Sequence, residues 1–281
     1  VHELNSNAGD RVSVGVSPHS VYTSSEKLLR LVIDLVTDEG LPVALHVAET
    51  QEEIAFIKSA EGLIADYYKT FNFDLKARGK TPVEYLHELG LPSSKTVAAH
   101  CVHVTEADLD ILAEEQVRVA HCPKSNAKLG VGTAPLTEIV QRGIITGIGT
   151  DSAASDDNLD MFEEMRFAVL AQRAVKENVE AMNAQRVLEL ATMGGAAVLG
   201  LDLEIGSLEP GKQADMIAVD LSSPSVFPST DPYSALVYGC SASDVLMTMI
   251  DGEIVYRAGK YSRVDSGEIK RQAALSATKL Y

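Results

Sequence analysis

Five short apolar runs, each ending in a histidine or an aspartate, constrain the fold more than any other feature of this sequence. They are too short for helices and rich in Val, Ile and Ala, as buried strands of a parallel sheet are. The runs are 12–16 leading to His19, 42–45 to His46, 96–99 to His100, 117–120 to His121, and 144–149 to Asp151. Amphipathic segments, such as 26–38 and 105–116, separate them. This alternation predicts a parallel sheet or barrel with its chemistry at the carboxyl ends of the strands.

The number of β/α units predicts how much of a barrel the chain contains. A (β/α)8 TIM-type barrel uses eight units over about 250 residues. The 281 residues begin with Val1 and hold five units, so we predict an α/β fold with the last five β/α units of such a barrel, the others lying upstream. After Leu201 turn-rich segments and strand-like runs take over. We therefore predict a barrel over residues 1–200, and a small C-terminal β-sandwich segment with a tail over 201–281.

Charge and composition exclude several classes of partner. The net charge is −16, from 24 basic and 40 acidic residues, and it would repel a nucleic-acid backbone. No apolar run approaches the ~20 residues of a membrane span, and no signal-peptide pattern opens the chain. Three cysteines without a CxxC motif indicate neither a disulfide framework nor a structural zinc site. We expect a cytoplasmic protein that acts on a small molecule, with Cys101 and Cys122 packed in its core.

Local signals predict several connecting segments. The helix over 26–38 is capped by Ser24 or Ser25 and ended by Gly40. Residues 51–92 are longer than one crossover needs and mix acidic, aromatic and basic side chains before a short predicted helix over 82–89. A lid or substrate wall and simple loop filler are equal alternatives for this segment. Residues 121–130 read as a glycine-containing loop without the pattern of a phosphate-binding loop.

Strand-end groups of two kinds predict a metal centre. A catalytic divalent ion favours neutral imidazoles and a carboxylate, which His46 and Asp151 would supply from two parallel strands. Glu49, three residues beyond His46, would reach the activated water and carry its proton to a leaving group. A single strand-end histidine is more often structural, but four in register with Asp151 are hard to explain by packing. No lysine occupies positions 17–19, which favours a mononuclear site, and we interpret His87 and His103 as surface or supporting groups.

Several longer motifs resemble one enzyme family. They are Ser17-Pro18-His19-Ser20-Val21-Tyr22, Leu45-His46-Val47-Ala48-Glu49-Thr50, 79–86, Ala99-His100-Cys101-Val102-His103, 121–130, Gly149-Thr150-Asp151-Ser152 and the coda 206–215. Together they resemble the amidohydrolase superfamily, in particular its S-adenosylhomocysteine/5′-methylthioadenosine deaminase branch, which is close to the triazine chlorohydrolases. The resemblance covers nearly the whole chain.

The resemblance implies a role for each strand-end group. His46 and Asp151 would be metal ligands, Glu49 the proton shuttle, and His100 the group that orients the activated water, while His19 would contact the substrate. Asp151 would also accept a proton from the water. The implied cofactor is one divalent metal, Zn²⁺ or alternatively Fe²⁺. The implied reaction replaces the amino group of an adenosine-type nucleoside by oxygen and releases ammonia, and family habit implies a homo-oligomer.

One departure from the family pattern limits what the chain holds. The family's first barrel strand carries a His-x-His pair of ligands, and this sequence has none. We therefore expect the chain alone to bind metal weakly and to be inactive. Two alternatives stay open: the same chemistry on another ring, such as guanine, cytosine, a pterin or a chlorotriazine, and a catalytically silent homologue that serves as a binding or assembly subunit.

Overall fold

The computed structural model describes residues 12–91 and 94–279. The polar residues 1–11, whose composition predicts a loop or the tail of a helix, lie outside the described residues. The strands are β1 (Val43–Val47), β2 (Thr96–His100), β3 (Arg118–His121), β4 (Thr146–Ile148), β5 (Met216–Val219), β6 (Val245–Ile250), β7 (Glu253–Arg257) and β8 (Lys260–Tyr261). The α-helices are α1 (Glu26–Glu39), α2 (Gln51–Ser59), α3 (Leu63–Lys69), α4 (Pro82–Leu89), α5 (Glu106–Glu114), α6 (Pro123–Lys128), α7 (Leu136–Gln141), α8 (Ala153–Asp156), α9 (Met161–Lys176), α10 (Ala184–Glu189), α11 (Gly195–Leu199), α12 (Pro232–Ser234) and α13 (Ser266–Ala277). Two π-helical turns, Leu190–Gly194 and Ala235–Gly239, and a 3₁₀ turn, Ala242–Asp244, complete the described elements.

Four consecutive strands form the predicted parallel sheet, in the order β1-β2-β3-β4. The register pairs Val47 with His100 and His121 with Ile148, so the carboxyl ends of the strands lie along one edge. Helices follow each strand, and their apolar faces pack on the sheet. The largest buried cluster joins Leu45 of β1 to Leu29 of α1 and Leu109 of α5. The prediction of an α/β fold with its reactive residues at one edge of a parallel sheet is confirmed.

The prediction of a strand over residues 12–16 is wrong in its length. Only Val16 pairs with the sheet, as an isolated parallel bridge to Val43, with Ser20 bridging to His46 further on. Val16 donates its amide to Pro42 O and accepts from Ala44 N, both at 3.0 Å. The next bond back along this ladder would need an amide on Pro42, and proline has none. The segment nevertheless runs parallel to β1, on the side of β1 away from β2.

The segment after His121 was predicted as a loop, and the structure shows α6 there instead. Pro123 occupies the first helical turn, where its missing amide costs nothing, and Lys128 lies in the last turn. Lys124 then fastens this helix to α9. Its ammonium group lies 2.8 Å from Asp156 and 2.8 Å from Glu163, and its amide donates to Glu164 at 3.1 Å. The helix therefore holds its side chains in fixed positions beside the strand ends.

A close approach of backbones fixes the strand that leads to Asp151. β4 packs directly against the π-helical turn and α11. A Cβ on Gly147 would lie 2.8 Å from Gly195 Cα, and one on Gly194 would lie 2.4 Å from Thr146 O. Neither contact is tolerated by real Cβ atoms, so glycine is required on both sides of this interface.

The C-terminal part contains the predicted small antiparallel sheet, in the order β5-β6-β7-β8. The segment between β5 and β6 packs on the parallel-sheet part, because Val226, Val237 and Cys240 share a buried cluster with Phe162 and Met165. The domain boundary at residue 200 stays a prediction. Helix α13, within the predicted tail, is exposed along its whole length.

Two further predictions concern the chain as a whole. Cys101 and Cys122 are free and buried, as predicted, and so is Cys240. Among the described residues, no helix combines the length and the apolar composition that a membrane crossing requires.

Candidate active site

His46, near the end of β1, has its ring oriented by a backbone group. Its Nδ1 lies 2.8 Å from the carbonyl oxygen of His19. A carbonyl oxygen only accepts, so Nδ1 carries the proton and Nε2 presents a lone pair. A hydrogen bond of this kind on the far nitrogen is what fixes the tautomer of a metal-binding histidine.

His100, the last residue of β2, is oriented in the same way by a side chain. The ring is completely buried, and its Nδ1 lies 2.8 Å from Oδ1 of Asn126 on α6. Its Nε2 has no hydrogen-bond partner among the described residues. A buried polar atom without a partner is costly, and one that carries a lone pair is ready to accept a metal ion or a water.

Asp151 follows β4 and is held by two hydroxyl groups. Ser125 and Ser155 both donate to its Oδ2, at 2.7 and 2.6 Å. Partial burial raises the pKa of Asp151, but these hydrogen bonds and nearby His100 outweigh it, and the pKa is lowered overall. The carboxylate is therefore ionised at neutral pH, with Oδ1 left for another contact.

His46, His100 and Asp151 converge although their strands do not all touch. One ligand atom from each lies within 4.8 Å of the other two, and the rings of His46 and His100 stack with centroids 5.2 Å apart. β1 and β4 lie at opposite edges of the four-stranded sheet, about 14 Å apart if the sheet were flat. Strong curvature of the sheet, as in a barrel, brings their carboxyl ends together.

Glu49 and His19 flank this cluster. The Glu49 side chain is nearly buried, and its Oε1 lies 3.9 Å from Nε2 of His100. The ring of His19 lies 4.8 Å from that of His46, and its Nδ1 contacts Thr23 Oγ1 at 2.9 Å. The structure thus brings all five residues singled out in the sequence to one place.

Backbone strain also occurs at the same place. His19, Ala48, His100 and Asp151 all have positive φ, between 51° and 71°. Non-glycine residues rarely adopt this conformation, which costs about 1–3 kcal/mol each and persists where the surroundings impose it. Each strained residue ends a strand or follows its end, so the strain turns a reactive side chain toward the cluster.

Four supporting residues were missed from the sequence: Ser125, Asn126 and Ser155, which contact Asp151 or His100, and Glu53, which contacts the loop that bears Glu49. Ser125 and Asn126 stand inside a motif that carried the family resemblance, and Ser155 lies four residues after Asp151. These positions, inside a family motif or one helical turn from a predicted ligand, could have identified the three residues as supporting groups. Glu53 lies four residues after Glu49, and nothing in the sequence distinguishes it from an exposed helical glutamate.

Three further histidines of the described residues lie outside the cluster. His121, the last residue of β3, is buried, and neither of its ring nitrogens has a partner among the described residues. Burial, with a contribution from His100, lowers the pKa of His121 to about 3, so the ring is neutral. His103 bridges Gln51 and Val131 O, both at 2.8 Å, and His87 is exposed near Glu115.

The excursion over 51–81 contains α2 and α3 followed by irregular chain. The ring of Tyr68 contacts those of Phe56 and Phe73, in a tilted and an edge-to-face arrangement, at centroid distances of 5.6 Å. With Tyr22 they line a cleft of 330 Å³. Whether this segment acts as a lid or substrate wall stays a prediction.

Comparison with known proteins matches this arrangement to one family. The model of the amidohydrolase family matches residues 1–255 of the chain. The chain belongs to the amidohydrolase family. Amidohydrolase relatives include a 5-methylthioadenosine/S-adenosylhomocysteine deaminase from Pelotomaculum thermopropionicum, 39% identical over 280 residues that cover 100% of this chain and 60% of the relative. A 5′-deoxyadenosine deaminase from Methanothermobacter thermautotrophicus is 37% identical over 280 residues, 100% of this chain and 61% of the relative.

Solved amidohydrolase structures have the same fold. A zinc-bound adenosine deaminase from Xanthomonas campestris superposes with a TM-score of 0.88 at 32% identity, over 99% of this chain and 60% of that one. The guanine deaminase of E. coli superposes with a TM-score of 0.76 at 26% identity, over 92% of this chain and 58% of that one. The chain thus spans about three fifths of the length of its relatives. The predicted family and barrel-type fold are confirmed.

Proposed function

We propose that this chain forms most of the active site of a metal-dependent hydrolytic deaminase that acts on an adenosine-type nucleoside. The observation that carries the proposal is the convergence of His46, His100 and Asp151 within 4.8 Å, with Glu49 beside them. The names of the relatives support the substrate class, because several are deaminases of adenosine or its 5′-modified forms.

The residues present fit a divalent metal. Both His46 and His100 direct a lone-pair nitrogen toward the cluster, and that of His100 is otherwise an unpartnered buried atom. Neutral imidazoles and a carboxylate are donors that zinc and iron(II) accept. We assign His46 and Asp151 as ligands. A divalent ion held there would lower the pKa of a water molecule toward neutrality.

Glu49 is the proton carrier in this scheme. Water adds to the amino-bearing carbon of the ring, the C–N bond breaks, and the amino group leaves as ammonia. Glu49 removes a proton from the water and delivers it to the departing nitrogen. Its carboxylate is nearly buried, whereas that of Asp151 accepts hydrogen bonds from two hydroxyl groups.

His100 positions the water, and His19 contacts the substrate. The 3.9 Å between His100 Nε2 and Glu49 Oε1 is too long for a direct hydrogen bond but allows one water to contact both atoms. His19 lies against His46 on the exposed side of the cluster, where a bound ring would enter. Asp151, ionised and adjacent, would share the proton of the water.

Zinc is the metal we propose, supported by the zinc-bound adenosine deaminase relative. Three free, buried cysteines are compatible with the reducing environment of the cytoplasm, where we place the protein. A homo-oligomer and the absence of nucleic-acid binding complete the proposal, the latter supported by the net charge of −16.

The decisive experiment measures ammonia release by the complete, zinc-loaded gene product. The substrates are S-adenosylhomocysteine, 5′-methylthioadenosine, adenosine and guanine, together with a chlorotriazine, for which chloride release is measured. Fast release from the adenosine-type nucleosides is the expected result. Release from guanine alone would support the same chemistry on a different substrate class. No product release from any of the substrates, with zinc bound, would overturn the proposal.

A further inference from the structure

The loop that carries Glu49 departs from ordinary backbone geometry and so requires a restraint. Immediately after β1, Ala48 is completely buried with φ 52°. This conformation is unfavourable for an L-residue by about 1–2 kcal/mol. The amides of Ala48 and Glu49 then point away from the sheet ladder, where they would be unpaired unless another group accepted them.

The carboxylate of Glu53 accepts both amides. Ala48 N donates to Oε1 at 3.0 Å, and Glu49 N donates to Oε2 at 2.8 Å. Each oxygen therefore serves one donor, and Glu53 is completely buried. Burial raises the pKa of Glu53 to about 7, whereas the two amide hydrogen bonds favour its ionised form. The two hydrogen bonds stabilise the strained conformation of Ala48.

Glu53 is itself held in place by the start of α2. Its amide donates to Oγ1 of Thr50, the residue that caps this helix, at 3.0 Å. On the other side of the loop, Ala48 O accepts the amide of His103 at 2.9 Å. The backbone on both sides of Glu49 is thereby tied to a helix and to the segment that follows β2.

We infer that Glu53 is a positioning residue, whose two-oxygen clamp on Ala48 and Glu49 aims the Glu49 carboxylate at the cluster of His46 and His100. This inference rests on the proposed role of Glu49. The hydrogen bonds of the Glu53 carboxylate go to the backbone of the Glu49 loop, so we expect its effect on the reaction to pass through Glu49. A glutamine cannot replace it, because an amide has one acceptor oxygen and its NH₂ group would face an N–H donor.

The test is a double-mutant cycle in the complete, zinc-loaded gene product. Glu53→Gln is expected to lower kcat about 10–100-fold, the size of effect that misplacing a catalytic group by ~1 Å produces. KM and zinc content should stay near the parent values. In a Glu49→Gln background the same Glu53→Gln change should have no further effect on the residual rate, because the group it positions is gone.

Glu52→Gln is the matched control. It removes an equal charge from the adjacent position of α2, where the Glu52 carboxylate accepts Leu63 N at 2.7 Å, far from the Glu49 loop. The control should keep the parent kcat. If Glu53→Gln does not fold, Glu53→Asp keeps the charge with a side chain too short to reach both amides, and a kcat loss of about 10-fold is expected.

Three results would overturn the inference. They are a kcat for Glu53→Gln within twofold of the parent, a parent-like kcat for the Glu53→Asp variant, and an equal loss in the presence and absence of Glu49. Failure of the proposed function gives a different result, namely no ammonia release by the parent itself, and failure of the proposed role of Glu49 would leave Glu49→Gln with the parent rate.

Discussion

Nδ1 of His100 lies 2.8 Å from Oδ1 of Asn126, so a buried imidazole is oriented by a side chain from the helix that follows the neighbouring strand. The contact leaves Nε2 of His100 facing Glu49 and the other ligand atoms. The proposed chemistry therefore depends on α6 as well as on the strand ends.

Asn126→Ala tests this dependence. Without the amide oxygen, the His100 ring is free to rotate and to place its proton on Nε2, so kcat should fall about 10–100-fold. Asn126→Asp, which keeps an acceptor oxygen, should show a smaller decrease in kcat. The measurement is the ammonia-release rate per zinc-loaded enzyme, and equal rates for Asn126→Ala and the parent would contradict the assignment.

Glu49→Gln should retain zinc and lose turnover. An amide of the same shape cannot take up and release the proton, and general acid–base catalysis contributes about 10²–10⁴-fold. Zinc content and steady-state rate are measured on the same preparation. The control is Glu61→Gln, a change at an exposed glutamate, which should have the parent activity. Near-normal activity of Glu49→Gln would exclude Glu49 from the mechanism.

Asp151→Ala should lower zinc content together with rate, because it removes the only carboxylate of the ligand cluster in the described part of the chain. Dialysis against a chelator followed by zinc analysis gives the retained fraction. Asp110→Ala, which alters an exposed ion pair with Arg142, serves as the control. Unchanged zinc retention by Asp151→Ala would exclude it as a ligand.

Gly194→Ala should destabilise the protein by about 1–3 kcal/mol, since the new methyl group would overlap Thr146 O and push β4 from the π-helical turn. The matched control is Gly195→Ala, whose nearest neighbour would lie at 3.9 Å. Alanine in this helical position should be neutral or stabilise by about 0.5–1 kcal/mol. Urea unfolding midpoints decide, and equal midpoints for the two variants would refute the close contact.

His121 should make stability depend on pH. Below its ordinary pKa of 6.5 the unfolded chain binds a proton on His121, whereas the folded chain does so only near pH 3. Folding therefore loses stability as pH falls through this window, by about 1.4 kcal/mol per pH unit. A His121→Gln variant should lose less stability than the parent between about pH 7 and about pH 5. Equal losses of unfolding free energy by the parent and His121→Gln, measured by urea unfolding, would show that His121 is not the titrating group.

The sequence by itself determined the elements whose causes are local. Ser25 caps α1 through Leu28 N, and Gly40 ends it in the left-handed conformation, as the residue types predict. The capping box of Thr81 and Glu84 fixes the start of α4 at the predicted residue. Strand-end positions of His46, His100 and Asp151 were also readable, because a buried parallel strand must be apolar until it reaches the edge of the sheet.

Only the tertiary structure decided which strand-end groups meet. His100 and His121 end their strands in the same way, yet the first joins the cluster, whereas the second is buried with no hydrogen-bond partner in the described part of the chain. The difference arises from the curvature of the sheet and from the turn of the chain at His100, with φ 71°, which no local pattern encodes. The roles of Asn126 and Glu53 likewise depend on hydrogen bonds that form only when the fold brings separate segments together. Local propensity fixes where an element begins and ends, whereas the direction of each side chain at its end is set by the packing of the whole chain.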